Sequence, residues 1–516
     1  MARYAYDRLT ALDNSFLMLE HTNGYMHVAS TQIHEAGPLR LADGGIDFDA
    51  IRDAIASNLH LIPRYRQKLQ WIPFVQHPVW VDDERFNLDF HVRHTALPHP
   101  GTDEQLKRLS ARIMQQHLDR RRPLWEMWIV EGLERDRFAL VSKVHHCMID
   151  GMSGVDIMRV LMWMSPEYEI HEAPTYIPRP APSSVELLQH EILRWASLPL
   201  TVARGLGTVV GEARNLRRDA LTRVRAAAAT LGASLSPPSS TPLNGEVGPH
   251  RRFDWLTMDL SEIKQIRRTL GGSLNDVVLT IVNGAVRRFM KRRQVRLEDL
   301  DFRVMAPVSV RSEEEQGALG NRVSAWLIDL PVAEADPRRQ LAAINEATDA
   351  LKRSKNAVGA ELLSQAAEWT PSMLLSLGAR NASRLLPFNL VVTNVPGPQI
   401  PMYLLGAKME ECFPHVPLTD NLGLGIALMS YDGKLCWGFN ADYDLVPDLA
   451  AFIGGIREAY EELRGLAAQV DAAARARGGA SRIEAPVVEA AASDQAAANG
   501  PPTESPGLNG GTTVTH

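Results

Sequence analysis

The chain has 516 residues, 45% of them hydrophobic and 22% charged, with a formal net charge of −6. This is globular composition; it excludes a collagenous or largely disordered protein and, at roughly 100–200 residues per domain, predicts two or three domains. The mild acidity excludes a global basic field that would recruit nucleic acid, and three cysteines (Cys147, Cys412, Cys436) without CxxC spacing exclude a disulfide framework or a zinc ribbon.

The cysteine usage makes a reducing cytoplasm the expected compartment, and the opening residues, MARYAYDRLTALDNSF, carry no apolar core of a secretory signal. The sequence also contains no run of about 18 apolar residues, the length a spanning helix needs. Residues 1–165 read as a mixed α/β domain. Phe48–Leu61 and Glu104–Leu118 have helical spacing of apolar residues, Val79–Val81 and Leu88–Val92 read as short strands, and Phe138–His146 (FALVSKVHH) reads as a strand ending in two histidines.

Five prolines between residues 166 and 183 predict an extended linker. Val185–Leu231 reads as helix broken near Pro199, with seven arginines against four acids, and residues 232–250 form a second linker. The back domain is expected over 251–471. Leu260–Leu270 and Asn275–Lys291 read as helices, and Arg303–Val310, Arg322–Leu330, Asn389–Val392, Gly423–Ser430 and Lys434–Asn440 as strands. Asp432-Gly433 is a two-residue hairpin turn, and Leu449–Ala468 a closing amphipathic helix. Residues 472–516 contain no aromatic residue and are rich in Ala, Gly, Pro and Ser, the composition of a disordered tail.

The strongest chemical signal is His145-His146-Cys147-Met148-Ile149-Asp150-Gly151, between that strand and Gly154–Met164, which reads as a helix. Asp-Gly makes a tight turn. Adjacent residues on a strand face opposite ways, so one imidazole can face a cavity while the other packs. A neutral imidazole suits removal of a proton from a hydroxyl or thiol. A surface histidine pair remains the plain alternative. A shared metal ion fits poorly with opposite-facing rings, and Cys147 reads as a small buried residue rather than a nucleophile.

HHCMIDG fits the HHxxxDG pattern of coenzyme-A-dependent acyltransferases, which condensation domains of peptide synthetases share. The chain more closely resembles the bacterial wax ester synthase/diacylglycerol acyltransferase family. Residues 9–28 (LTALDNSFLMLEHTNGYMHV) are similar to its N-terminal signature, 118–126 (LDRRRPLWE) to its PLW block and 273–279 (SLNDVVL) to its ND block. Residues 306–311 (APVSVR), 320–324 (GNRVS) and 393–398 (TNVPGP) are similar to its later blocks, and the resemblance runs over about residues 5–467.

The resemblance implies two chloramphenicol-acetyltransferase-like α/β domains, each a mixed sheet with helices, and a substrate tunnel at their interface. It implies transfer of a long acyl chain from acyl-CoA, a co-substrate, to diacylglycerol or a fatty alcohol, with no cofactor and no metal. His146 is then the general base. His145 and Gly151 shape the turn, and Asp150 pairs structurally, with Arg311 as one candidate. Pro123, Leu124 and Trp125 line the substrate channel by resemblance; by their own chemistry they are the start of a strand with a core tryptophan. Asn275 and Asp276 are a substrate-binding block by resemblance and helix-cap residues by residue type. Asn275 or a backbone amide near Asn394 is the candidate oxyanion donor. Oily substrates imply peripheral association with the inner membrane or lipid droplets, for which the basic Val185–Leu231 segment is suited. Two other readings stay open: a condensation-type enzyme with a carrier-protein donor, and a non-catalytic lipid-binding or droplet protein.

Overall fold

Strands of alternating and all-apolar character build two six-stranded mixed sheets in this computed structural model, which describes residues 6–148, 160–196, 238–309, 323–353 and 387–480. The front half contains β1 (Tyr6–Arg8), α1 (Ala11–Leu19), β2 (His27–Glu35), α2 (Phe48–Asn58), β3 (Gln67–Trp71) and β4 (Pro78–Asp82). It continues with α3 (Leu88–His91), β5 (Val92–Ala96), α4 (Asp103–Met114), β6 (Trp125–Leu133) and β7 (Arg137–His145). The back half contains β8 (Arg251–Asp259), α5 (Leu260–Leu270), α6 (Leu274–Arg292), β9 (Arg303–Ser309), β10 (Val323–Asp329) and α7 (Pro337–Arg353). It closes with β11 (Leu390–Pro396), β12 (Tyr403–Leu404), β13 (Ala407–His415), β14 (Leu424–Tyr431), β15 (Lys434–Asp442) and α8 (Leu449–Ala480).

The front sheet has the order β12-β13-β2-β7-β6-β5 and the back sheet β10-β9-β11-β14-β15-β8, while β1, β4 and β3 form a small third sheet. The sheets do not follow the sequence division at residue 251. β13 leaves the back half and pairs antiparallel with β2, Phe413 opposite Thr31 and His415 opposite Ala29. This lent strand joins the halves together with α4, whose Lys107 pairs with Asp254 of β8 at 2.6 Å, and residues 1–468 form one compact unit.

The contact between β13 and the back sheet is close. A Cβ added at Gly438 of β15 would lie 1.9 Å from the Pro414 carbonyl oxygen, so only glycine lets the two strands approach this far. Trp255 of β8 stacks on Phe413 at 4.7 Å, and Phe253 on His415 at 3.4 Å, which fills the rest of the seam with aromatic area. Gly438→Ala is expected to lower stability by about 1–3 kcal/mol, because the obstacle is a backbone atom that cannot rotate away; urea denaturation measures it.

Helix α6 carries the back core. Ser273 caps it through the Asp276 N–H, and the Asp276 carboxylate returns a bond to the Ser273 N–H at 2.7 Å, a capping box. Its Val277, Val278, Ile281, Val282 and Val286 are buried, and Phe289 packs edge-to-face on Phe452 of α8. The hairpin turn is as read: Asp432 (φ 42°) and Gly433 (φ 77°) are both left-handed.

Two expectations need correction. Leu88–Val92 is not a strand: Asn87 caps a single helical turn through the Asp89 N–H, and the strand begins at Val92. The tail expected to be disordered from residue 472 is helical as far as Ala480. Residues 166–183 run without regular structure, as their prolines predict, with Arg179 donating to both Asp82 carboxylate oxygens at 2.9 and 3.0 Å. Of Val185–Leu231, residues 185–196 are helical, in a helix that starts at 184, and the remainder lies outside the described residues, as do Asp150, Gly151, Arg311 and most of Gly154–Met164.

Candidate active site

Strand β7 delivers the histidines. It pairs with β2 along its whole length, His145 opposite His27, and stops at His145; His146–Met148 form a short 3-10 turn. The turn's backbone is held by two segments from elsewhere in the chain. The His145 N–H donates to the Leu124 carbonyl at 2.9 Å, and the His146 N–H to the Met26 carbonyl at 2.7 Å. The PLW block and the N-terminal signature therefore reach the motif through main-chain carbonyls.

The two rings have different surroundings, since β7 ends at His145 and His146 already belongs to the turn. His145 is buried; its Nδ1 accepts the Cys147 N–H at 3.0 Å, which puts the ring proton on Nε2. Nε2 faces Glu20 Oε1 at 3.0 Å. His146 instead stacks on Phe16, ring centroids 3.9 Å apart, and its Nδ1 is buried without a hydrogen-bond partner. Burial pulls the His146 imidazole down to about 4, with the neighbouring His145 adding to the effect, so the ring is neutral at pH 7 and open to accept a proton.

Glu20 is the residue beside the motif that sequence reasoning did not single out. Thr10 caps α1 through the Asp13 N–H, and the helix ends by presenting Glu20 toward β7. Its Oε1 accepts the Met26 N–H at 2.9 Å and lies 3.7 Å from His27 Nε2; its Oε2 accepts from Arg120 Nη2 at 2.5 Å. Burial alone would raise this carboxyl. The contacts with His145, His27 and Arg120 outweigh burial and hold it down at about 2. Burial, with the Lys143 ammonium nearby, pushes His27 well below the usual histidine range. The N-terminal signature, the LDRRRPLWE block and the histidine motif thus meet on one carboxylate. The signal available in sequence was an acid at the end of a capped helix, just before a His-containing strand.

The other site candidates fall in different places. Leu124 and Trp125 are buried, with Trp125 donating Nε1–H to the Tyr65 carbonyl at 2.8 Å and stacking on His91 at 4.5 Å, so these side chains are core. Cys147 is buried and burial raises its thiol well above the ordinary value, which leaves it unreactive. Asp276 is a capping residue that also accepts from Thr348 Oγ1 at 2.8 Å. Asn275 is exposed, and its Oδ1 accepts from Asn394 Nδ2 at 2.7 Å, so the two candidate oxyanion segments are in contact. Both border a cavity of about 170 Å³ whose other walls include Leu279, Trp326, Ile328 and Val392, with Lys352 among the lining residues. Among the described residues no hydrogen bond or ion pair links this pair to the histidines, and no group of three or more His, Cys, Asp or Glu is arranged to hold a metal ion. No helix among them is long and apolar enough to cross a membrane.

Among solved structures, the first condensation domain of the calcium-dependent antibiotic synthetase matches with a TM-score of 0.55 at 15% identity, covering 90% of this chain and 97% of that one. The two sheets with a shared strand thus define a two-domain, chloramphenicol-acetyltransferase-like fold. The match narrows from there. The wax ester synthase/diacylglycerol acyltransferase catalytic domain profile matches residues 9–278 and the corresponding C-terminal domain profile matches 319–464. The chain belongs to the wax ester synthase/diacylglycerol acyltransferase family and is an acyltransferase. The wax ester synthase/diacylglycerol acyltransferase structure from Marinobacter aquaeolei VT8 is similar at a TM-score of 0.61 and 25% identity, covering 89% of this chain and all (100%) of that one. A Mycobacterium tuberculosis (strain H37Rv) protein named a probable diacylglycerol O-acyltransferase is 30% identical over 472 residues, 89% of this chain and 96% of its own length. Another from that strain, named for the same activity, is 32% identical over 475 residues, 89% and 90% of the two chains.

Proposed function

We propose that the protein transfers a long-chain acyl group from acyl-CoA to the hydroxyl of diacylglycerol or a fatty alcohol, giving triacylglycerol or wax ester, at a lipid surface. The observation that carries this reading is the neutral, half-buried His146 imidazole, fixed by the Met26 carbonyl and the Phe16 ring. His146 takes the hydroxyl proton as the alcohol oxygen attacks the thioester carbonyl. The tetrahedral oxyanion collapses, the C–S bond breaks, and the CoA thiolate takes the proton back from His146. The transfer is direct and needs no covalent acyl-enzyme. Family membership and the names carried by the relatives support the substrate classes.

His145 does not act on substrate in this scheme. With its Nε2 turned to Glu20 and its Nδ1 holding the turn, it is a positioning residue. Asn275 is the oxyanion donor we favour, since Asn394 occupies its Oδ1 and leaves its NH2 free to donate. Asn275→Ala removes the donor without adding a charge to the site, at an exposed position where the fold tolerates it. It is expected to lower kcat by about 100-fold with KM little changed, by analogy with loss of one oxyanion-hole donor; full kcat in that variant would remove Asn275 from the mechanism.

Release of free CoA from palmitoyl-CoA, assayed separately with hexadecanol and with dipalmitoylglycerol, tests the function. Thiol release with either acceptor, abolished in His146→Ala, supports the reading and identifies the preferred acceptor. A folded protein that releases none with either, but accepts the acyl group from a carrier protein, would place it with the condensation-type enzymes.

A further inference from the structure

The loop over residues 20–26 leaves α1 and enters β2, and its two ends hold the histidine motif. Glu20 faces His145 at one end, and the Met26 carbonyl takes the His146 N–H at the other. Between these ends the chain turns tightly. The His21 N–H bonds the Gly24 carbonyl at 3.0 Å, and the Gly24 N–H bonds the His21 carbonyl at 3.3 Å. The His21 ring folds over Gly24, where a Cβ would lie 2.0 Å from its Nε2. These bonds close the turn on itself. They do not fix where it sits.

The back half supplies that. Arg251, the first residue of β8, is buried, and its Nη2 donates to the Asn23 carbonyl at the middle of the turn. Its Nη1 donates to the Gly248 and His250 carbonyls at 2.6 and 3.0 Å. Its own N–H donates to Gln115 Oε1, at the C-terminal end of α4, at 3.1 Å. A second contact from the back half falls on the same turn: Asp420 Oδ1 lies 3.1 Å from His21 Nε2.

The plain role of a buried arginine is to neutralise a buried acid. Asp442 stands opposite Arg251 in register, with Oδ2 3.8 Å from Nη1. That separation is too long for a hydrogen bond. The Asp442 carboxylate is satisfied without it, accepting the N–H groups of Gly248, Asp444 and Leu445 at 2.8, 3.0 and 2.9 Å. The guanidinium donates to carbonyls instead, and Nη2 carries one of those bonds out of the back half to the loop. A planar fork of fixed donors can hold two chain segments at a set distance, which a single ammonium cannot.

We propose that Arg251 is a positioning residue for the acyl transfer, fixing the 20–26 loop from the back half and so setting where Glu20 and Met26 hold the histidine motif. This deepens the reading of His146 as the base and rests on it. Asn23 is three residues from Met26. A shift of the turn is therefore delivered directly to the carbonyl that holds His146. The base is aligned only while β8 is packed against the loop.

The experiment measures CoA release from palmitoyl-CoA with hexadecanol for Arg251→Met, Arg251→Lys and Asp420→Asn, each alone and combined with His146→Ala, with urea midpoints alongside. Arg251→Met keeps the length of the stem and leaves Asp442 with its backbone donors. It is expected to lower kcat by about 10–100-fold with KM within about threefold. Arg251→Lys recovers part of this loss, and Asp420→Asn, at a partly exposed pair, gives a smaller fall in kcat with little change in midpoint. In the His146→Ala background none of the three lowers the residual rate further, because all act through that imidazole. An equal fall in both backgrounds would make Arg251 a fold-stabilising residue and overturn the proposal, as would wild-type kcat in Arg251→Met. Should Arg251→Met not fold, wild-type kcat in both Arg251→Lys and Asp420→Asn overturns it. A His146→Ala enzyme as active as wild type would instead remove the base itself, a failure that shows before any Arg251 variant is compared.

Discussion

Replacing His146 by alanine is expected to lower kcat for CoA release by about 10³-fold, within the 10²–10⁴ that a positioned general base contributes, and to leave KM within a factor of about three. The fold should survive. The ring packs on Phe16 but carries no side-chain hydrogen bond to another residue, and the turn is held by the backbone N–H groups of His145 and His146, which alanine retains at position 146. The pH profile separates this role from a structural one. The base must be unprotonated to work, and burial lowers His146 from the ordinary histidine value to about 4. Activity should then hold level from neutrality down to about pH 5 and fall only as the ring protonates below that. A solvated histidine would lose activity through about pH 6.5. Measured kcat/KM against pH with a water-soluble acceptor, which avoids changes in vesicle charge, distinguishes the two. A limb near 6.5 would mean that the ring is hydrated in the working enzyme.

Sequence reasoning found what is local. The apolar period placed α6 at Asn275–Lys291, within a residue of the observed Leu274–Arg292, though its cap is Ser273 rather than Asn275. Asp432-Gly433 named its own turn, and the histidine pair named its strand end. What was not readable depends on partners far along the chain. β13, AKMEECFPH, has no clean alternation and contains a proline; it is a strand because β2, some 380 residues earlier in the register His415↔Ala29, offers it an edge. Leu88–Val92 has strand-like residues, but the Asn87 side chain captures the Asp89 N–H and turns the chain into one helical turn first. Trp125 could be assigned either to a channel or to the core until its indole was seen bonded to the Tyr65 carbonyl. Glu20 looked like any acid after a helix, and only the convergence of His145, His27 and Arg120 around it gives it a role.

Glu20→Gln is expected to show the second large effect, on stability and on turnover together. The folded carboxyl sits near 2 against an ordinary 4.5, a depression set by His145, His27 and Arg120 against the opposing cost of burial. At 1.36 kcal/mol per pH unit this corresponds to about 3 kcal/mol at neutral pH. Because the folded value is the lower one, that stabilisation is complete above about pH 4.5 and is lost as pH falls toward 2. The urea midpoint of Glu20→Gln should therefore lie well below wild type at pH 7, and the gap should close progressively between pH 4.5 and pH 2, since the amide has no proton to gain. Turnover should drop by about 10–100-fold with KM nearly unchanged, as when an outer partner that orients a working imidazole is removed. The physical path is short: without the carboxylate, His145 Nε2–H loses its facing charge, the Met26 N–H loses its anionic acceptor, and Met26 is the residue whose carbonyl holds His146 in place. Glu20→Asp, which keeps the charge but retracts it by one methylene, should recover part of the pH-dependent stability and less of the turnover. Equal stability of wild type and Glu20→Gln at pH 7 would mean that the buried carboxylate is not ionised against these partners, and the positioning role would fall with it.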